Sequence, residues 1–264
     1  NLVVISTPQV EGDMFHRLWE QARVPGSRWW SRTIHWSECP EFDQAWYETT
    51  RADYSDADWE AEFEHQFGSI ADTVFRPQYV SQAVALGTQE FDVEGAVYHV
   101  GADVSGKGRD ESVIITLAAG KGEIKARVVD AKSFGVLPAT ILQAEIERVA
   151  TERKAVPYVD MTGLGFGIVG NLNVQAVGVT FTSGQEVTGR PEEPNIPRER
   201  LINNLVLGLE RGQLAIPAEF RNLVVGLQSY RWDKSKARRA DWVDALALAW
   251  WSVTGVAEPQ MFTL

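Results

Sequence analysis

Cysteine and histidine are scarce in this sequence, and their scarcity excludes several kinds of site. Cys39 is the single cysteine among 264 residues, so the chain forms neither an internal disulfide nor a cysteine-rich zinc site. The four histidines show no zinc-ligand spacing; they are His16, His35, His65 and His99. No apolar run approaches the roughly 20 residues that a membrane-spanning helix needs, so no membrane partner is expected.

Positive charge is also in short supply. The net charge is −11, which argues against a surface that binds nucleic acid everywhere. A local basic run is present, and it consists of Arg231, Lys234, Lys236, Arg238 and Arg239. A solvated loop is one interpretation of this run. Its position directly before an acidic motif favours the other, a contact with phosphate groups.

The order of the predicted elements indicates an α/β protein. Residues 96–104, 111–118 and 123–131 form strand patterns joined by glycine-containing turns. Further along come a helix over 138–153, a strand over 156–160 followed by a glycine-rich turn, and an apolar helix over 242–253. This order predicts a mixed sheet with helices on its faces, as in an RNase H-like fold.

The first part of the chain has a different pattern. It opens with strand-like residues 1–5 rather than with Met or a signal peptide, so we expect a piece of a longer protein. An amphipathic helix follows near residue 15, and residues 28–36 are predicted to form a strand. Residues 76–95 are interpreted as a connector.

Two aspartates end predicted strands. Asp103 lies over the sheet, two residues after Gly101, which leaves room for a neighbour. Asp160 follows an apolar strand and precedes three alternating glycines, at the end of a strand where α/β sheets place ligands. The alternative is that these carboxylates cap the turns that follow them.

A third acidic motif opens the last apolar helix. Asp241 and Asp244 are three residues apart, so both can lie on the face that turns towards the sheet. Carboxylates in a first helical turn are also favoured by the helix dipole, which is the structural alternative. We favour Asp241 as the main ligand and Asp244 as a ligand or its support, and their order stays open.

Carboxylates gathered at one place repel one another unless cations lie between them. Oxygen ligands suit hard cations, so Asp103, Asp160, Asp241 and Asp244 predict a site for Mg²⁺ or Mn²⁺. Two ions in such a site support phosphoryl-transfer chemistry by in-line displacement.

The ordered motifs resemble the large terminase subunit of tailed bacteriophages, the motor-nuclease that packages viral DNA. The sequence around 101–110 is similar to its first nuclease motif, 159–165 to the second, and 241–249 to the third. The segment 209–217 is also typical of the family. In the first part, Ser6 and Thr7 belong to a string similar to the ATPase coupling motif, and 62–68 resembles a segment near the end of that domain.

This resemblance implies a domain organisation and partners. Residues 1–88 would be the C-terminal remnant of an ATPase domain and its linker, and 89–264 an RNase H-like nuclease. No Walker motif is present, so ATP would bind only upstream of this sequence. The nuclease would cut concatemeric double-stranded DNA when packaging starts and ends, in the host cytoplasm, with the portal protein and the small terminase subunit as partners. The implied phosphate contacts are Lys107, Arg109, Lys234, Lys236, Arg238 and Arg239.

Two other functions fit parts of the pattern. A phosphotransferase of the actin and sugar-kinase type also places an aspartate in a glycine-rich hairpin, but it needs a second phosphate-binding hairpin. A non-catalytic interaction module would use the same acids as caps and surface charges.

Overall fold

The computed structural model describes residues 2–6, 14–67, 73–105, 111–135, 137–162, 164–182, 195–232 and 239–254. The chain divides into two compact units, Asn1–Asp72 and Thr73–Leu264. The division lies earlier in the chain than the predicted boundary after residue 88. Within the described residues, no helix is long and apolar enough to cross a membrane.

The first unit is built from short helices. They are α1 (Met14–Ala22), a 3₁₀ helix (Trp36–Glu38), α2 (Gln44–Arg51) and α3 (Asp56–Glu62). The Asp43 side chain caps α2 by accepting a hydrogen bond of 2.8 Å from the Trp46 amide. The strand predicted over 28–36 is wrong: none of these residues forms one. An extended segment needs a neighbouring strand to pair with, and the residue pattern of 28–36 does not show whether such a neighbour exists.

Aromatic side chains hold this unit together. Trp59 is 4% exposed, and its ring stacks on Phe63 at 4.3 Å and meets Tyr47 edge-on at 5.2 Å. Glu64 accepts hydrogen bonds from the indole nitrogens of Trp59 at 3.1 Å and Trp36 at 3.4 Å. Indole N–H groups need acceptors when their rings pack together, and Glu64 supplies one acceptor for both.

The second unit contains a mixed sheet and the remaining helices. Its strands are β1 (Tyr98–Asp103), β2 (Ser112–Ala119), β3 (Ala126–Phe134), β4 (Pro157–Asp160), β5 (Val177–Thr182), β6 (Asn195–Pro197) and β7 (Leu214–Ala215). Its helices are α4 (Pro77–Leu86), α5 (Ala139–Arg153), α6 (Leu164–Val169), α7 (Arg198–Glu210), α8 (Arg221–Ser229) and α9 (Ala240–Thr254).

The described strands form a seven-stranded sheet in the order β6-β5-β4-β1-β2-β3-β7. Strand β2 runs antiparallel to both β1 and β3, whereas β1, β4, β5 and β6 are parallel neighbours. The predicted mixed sheet is therefore confirmed. Parallel neighbours end at the same edge, so the carboxyl ends of β1 and β4 lie side by side.

Helices cover both faces of the sheet, as predicted. On one face, α9 packs on β1, β2 and β4, with α7 and α8 beside it. On the other face, α5 and α6 cover a core that includes Val100, Ala102 and Val159. Helix α9 is buried from Trp242 to Trp250, which explains why its sequence is apolar on all sides.

Two segments of the second unit differ from their predictions. Residues 77–86 form helix α4 instead of a connector, and Val80 and Ala83 are buried in the core where α4 contacts α7 and α8. Pro77 starts this helix, because proline at the first helical position loses no hydrogen bond. The predicted glycine-rich turn after Asp160 contains the short helix α6, which contacts β4 and β5.

Candidate metal centre

Asp103 and Asp160 lie at the ends of two neighbouring parallel strands. The register pairs Ala102 of β1 with Val159 of β4, so the two aspartates come next on each strand. Both are buried, with 8% and 7% of their surfaces exposed. The Asp160 carboxylate accepts a hydrogen bond of 2.8 Å from the Thr162 amide, which fixes one of its oxygens.

Both side chains project from the face that α9 covers. A Cβ atom on Gly101 would point at α9, and side chains two residues apart share a face, so Asp103 lies on that side. Tyr158 packs against the core that contains α9, which places Asp160 on the same face. The two predicted strand-end acids are therefore brought to one edge and one face of the sheet.

Glycines allow the flanking helices to approach these strands closely. A Cβ atom on Gly101 would lie 2.1 Å from the carbonyl oxygen of Ala245 in α9. One on Gly165, in α6, would lie 1.7 Å from the carbonyl oxygen of Asp160. These distances are too short for any side chain, so the close packing of α9 on β1 and of α6 on β4 requires glycine at both positions.

Asp244 is almost completely buried, with 1% of its surface exposed, and it is paired with Arg198. Nη2 of Arg198 lies 2.7 Å from each carboxylate oxygen, and Nε lies 3.2 Å from Oδ1. The Tyr230 hydroxyl donates to Oδ1 at 3.3 Å. The second acid of the third motif is thus held by a cation and a phenol from two other helix ends.

Asp241 has a different environment, at the start of α9. Its Oδ2 accepts a hydrogen bond of 3.1 Å from the Glu111 amide, beside the start of β2. The Glu111 carboxylate in turn accepts from Trp242 Nε1 and from Arg239 Nη1, both at 3.1 Å. These hydrogen bonds connect the first turn of α9 to Glu111, the residue directly before β2.

Tyr230 lies buried beside the acidic residues of the centre, and burial is the main influence on its pKa. Burial, then the charge of Asp244, raises the pKa of Tyr230 above its ordinary value, and Arg198 opposes this only in part. Asp103 also contributes to the raised pKa, so its carboxylate lies within electrostatic reach of the phenol. Tyr230 therefore stays protonated and acts as a hydrogen-bond donor.

The donor set fits a hard divalent cation. Asp103, Asp160 and Asp241 offer carboxylate oxygens at the ends of β1 and β4 and at the start of α9, and oxygen ligands are those that such cations prefer. Within the described part of the chain, no three His, Cys, Asp or Glu side chains already stand close enough to hold a metal ion. Among the described residues, the predicted ligands therefore do not form a ready-made metal site.

The basic residues predicted to contact phosphate are only partly described. Lys107, Arg109, Lys234, Lys236 and Arg238 lie outside the described residues, as does Thr7 of the predicted coupling motif. Arg239 is described, and its guanidinium is engaged with Glu111. Ser6 is described and exposed.

Sequence reasoning missed Arg198 and Tyr230. Arg198 is the first residue of α7, and Tyr230 follows the end of α8. They are 46 and 14 residues from Asp244, so no local spacing relates them. The one usable signal was the burial expected for Asp244 on an apolar helix, because a buried carboxylate requires a partner.

Comparisons with known proteins show the fold. No family model and no curated protein matches the sequence. Among solved structures, the large terminase nuclease from thermophilic phage G20c with bound zinc covers 69% of this chain and 98% of its own, with TM-score 0.50 and 20% identity. The same nuclease with bound cobalt gives TM-score 0.51 over 68% of this chain and 96% of its own, also at 20% identity.

A longer protein is similar over almost the whole chain. The large terminase from another thermophilic bacteriophage covers 94% of this chain at TM-score 0.59 and 10% identity, and the match spans 60% of that protein. The second unit therefore has the RNase H-like fold of large terminase nucleases, as its sequence predicted.

Proposed function

We propose that this chain is the C-terminal part of a phage large terminase and that its second unit is a metal-dependent DNA endonuclease. The observation that carries the proposal is the pair of buried acids Asp103 and Asp160, on neighbouring parallel strands beneath a helix that begins with a third, Asp241. Two buried carboxylates on adjacent strands are costly unless a cation neutralises them, which supports a metal-binding role.

The chain's own residues would perform two tasks around the metal. Asp103, Asp160 and Asp241 hold it, with Mg²⁺ or Mn²⁺ as the expected ions and two ions per site. When bound, the metal supplies an activated water and stabilises the charge on the leaving 3′-oxygen. The basic run before α9, which includes Arg239, lies next to Asp241 in the sequence and would contact DNA phosphates.

The substrate and partners of this proposal follow from the likeness to large terminases. The expected substrate is concatemeric double-stranded DNA, cut at the start and the end of packaging in the host cytoplasm. The first unit would be the end of the ATPase domain, with ATP bound only upstream of this sequence. A portal protein and a small terminase subunit would complete the motor.

Plasmid cleavage tests the proposal. Asp103→Ala should abolish Mn²⁺-dependent cleavage of supercoiled plasmid while the protein keeps its far-UV circular dichroism, because the metal loses a ligand. Asp160→Asn should remove the thermal shift that Mn²⁺ produces in the wild type. The matched control is Asp130→Asn, since Asp130 lies in β3 and pairs with Lys132 at the surface.

Two results would contradict the proposal. Undiminished cutting by Asp103→Ala would mean that the cleavage does not depend on this carboxylate. Equal loss of the Mn²⁺ shift in Asp130→Asn and Asp160→Asn would mean that metal binds by surface charge and not at the strand ends.

A further inference from the structure

If the second unit is the proposed nuclease, its site would contain a cation that the protein itself supplies, in addition to the divalent metal. We propose that Arg198 is a built-in cation that permanently neutralises Asp244 and leaves the divalent metal to Asp103, Asp160 and Asp241. Asp244 would then position α9 and would not coordinate metal. The starting observation is the bonding around the Asp244 carboxylate.

The hydrogen bonds leave this carboxylate little capacity for a metal. Nη2 of Arg198 lies 2.7 Å from both oxygens, Nε reaches Oδ1 at 3.2 Å, and the Tyr230 hydroxyl reaches the same oxygen at 3.3 Å. A metal ion at either oxygen would have to displace a charge-assisted bond.

Burial makes the ion pair permanent. The Asp244 side chain is 1% exposed and that of Arg198 is 17% exposed, so separating them would leave a buried carboxylate without its cation. The guanidinium keeps its charge at every ordinary pH. It also lies over the Tyr230 ring, 5.4 Å from the ring centre, which restrains it further.

The arrangement links three helix ends. Arg198 is the first residue of α7, Tyr230 follows α8, and Asp244 lies in the second turn of α9. Asp241 is one helical turn before Asp244 on the same helix, so whatever holds Asp244 also sets the position of Asp241. Arg198 and Tyr230 are therefore positioning residues for the third metal ligand.

Removing the built-in cation should create an unwanted metal ligand. In Arg198→Gln, the Asp244 carboxylate remains buried but loses its charge partner, and a divalent ion is the cation at hand. We expect Mn²⁺ to bind at least about tenfold more tightly to this variant, because an added carboxylate without its cation attracts it strongly in a buried site. Cleavage should fall, since α9 and Asp241 lose their fixed position.

The experiment measures free Mn²⁺ by electron paramagnetic resonance during titration of the full chain, alongside plasmid cleavage. Arg198→Lys keeps the charge and should bind Mn²⁺ as the wild type does. The double variant R198Q/D244N removes both charges and should return Mn²⁺ affinity to the wild-type value. Arg200→Gln is the matched control, because Arg200 is on the same helix but stacks on Trp251, 5.4 Å from its ring centre.

The outcomes separate the two proposals. Wild-type protein that neither binds Mn²⁺ nor cuts DNA contradicts the nuclease itself. If the wild type does both, Mn²⁺ affinity in R198Q that is unchanged or weaker overturns the built-in cation. Should R198Q fail to fold, the charge-balanced double variant R198Q/D244N decides. Mn²⁺ affinity within about threefold of the wild type supports the proposal, and lost Mn²⁺ binding makes Asp244 a ligand and refutes it.

Discussion

A single methyl group added at Gly101 should push helix α9, which carries Asp241 and Asp244, away from strand β1. The Cβ atom of Gly101→Ala would lie 2.1 Å from the carbonyl oxygen of Ala245, 2.5 Å from the amide nitrogen of Ala249 and 3.0 Å from the Ala249 Cβ. The first two are backbone atoms of α9, so no side chain can turn away to relieve the clash. The helix or the strand must move.

The size of that movement follows from the contact distance. Restoring an ordinary contact of 3.4 Å from 2.1 Å moves the α9 backbone by about 1.3 Å relative to β1. Overpacking of this kind costs about 1–3 kcal/mol of unfolding free energy. Asp241 moves with α9 while Asp103 stays with β1, and a displacement of about 1 Å in a catalytic constellation lowers the rate about 100-fold.

Two assays measure the two effects separately. Guanidinium unfolding followed by circular dichroism gives the stability loss, and Mn²⁺-dependent plasmid cleavage gives the rate. Gly122→Ala is the control, because a Cβ atom there has no neighbour within 4 Å. The reasoning fails if G101A matches G122A in both assays, since α9 would then approach β1 without needing a glycine.

Two further predictions concern pH. Burial raises the pKa of Glu64, but hydrogen bonds from Trp59, His35 and Trp36 together outweigh it and hold that pKa below its ordinary 4.5. The first unit should therefore lose stability as pH falls below 4.5, and the E64Q variant should already be less stable than the wild type at neutral pH. Hydrogen exchange of residues 56–62 measures both losses of stability. Unchanged exchange in E64Q would contradict the reasoning. Burial lowers the pKa of His99 from 6.5 in the folded protein. The contribution of the neutral His99 side chain to stability is therefore complete above pH 6.5, and it is lost as pH falls towards the lowered pKa. Denaturation midpoints between about pH 7.5 and 5 should drop less in His99→Gln than in the wild type, and an equal drop would contradict the assignment.

Much of the second unit could be predicted because its pattern is local. The strands β1 to β3 follow one another closely in the chain, and helix α9 is a long apolar run with nine consecutive buried residues. The strand-end positions of Asp103 and Asp160 followed from the same pattern. Their closeness needed one more step, the parallel pairing of β1 with β4, which an RNase H-like order supplies.

Other features depended on partners distant in the chain. Helix α4 was missed because Val80 and Ala83 become core residues only when α7 and α8 pack beside them. The strand predicted over 28–36 was wrong because an extended pattern does not provide its own neighbour. The pairing of Arg198 with Asp244 joins residues 46 apart, and only the folded chain brings them together.

The position of α9 along the chain has a consequence for protein synthesis. This helix completes the core over β1, β2 and β4, yet a ribosome makes it after every strand that it covers. Until residue 244 has emerged, Arg198 lacks the carboxylate that it holds in the folded protein, and the helix that covers the strands of Asp103 and Asp160 is missing. A chain interrupted before α9 therefore carries two of the three acids, and we expect such an unfinished product to lack the proposed cleavage activity.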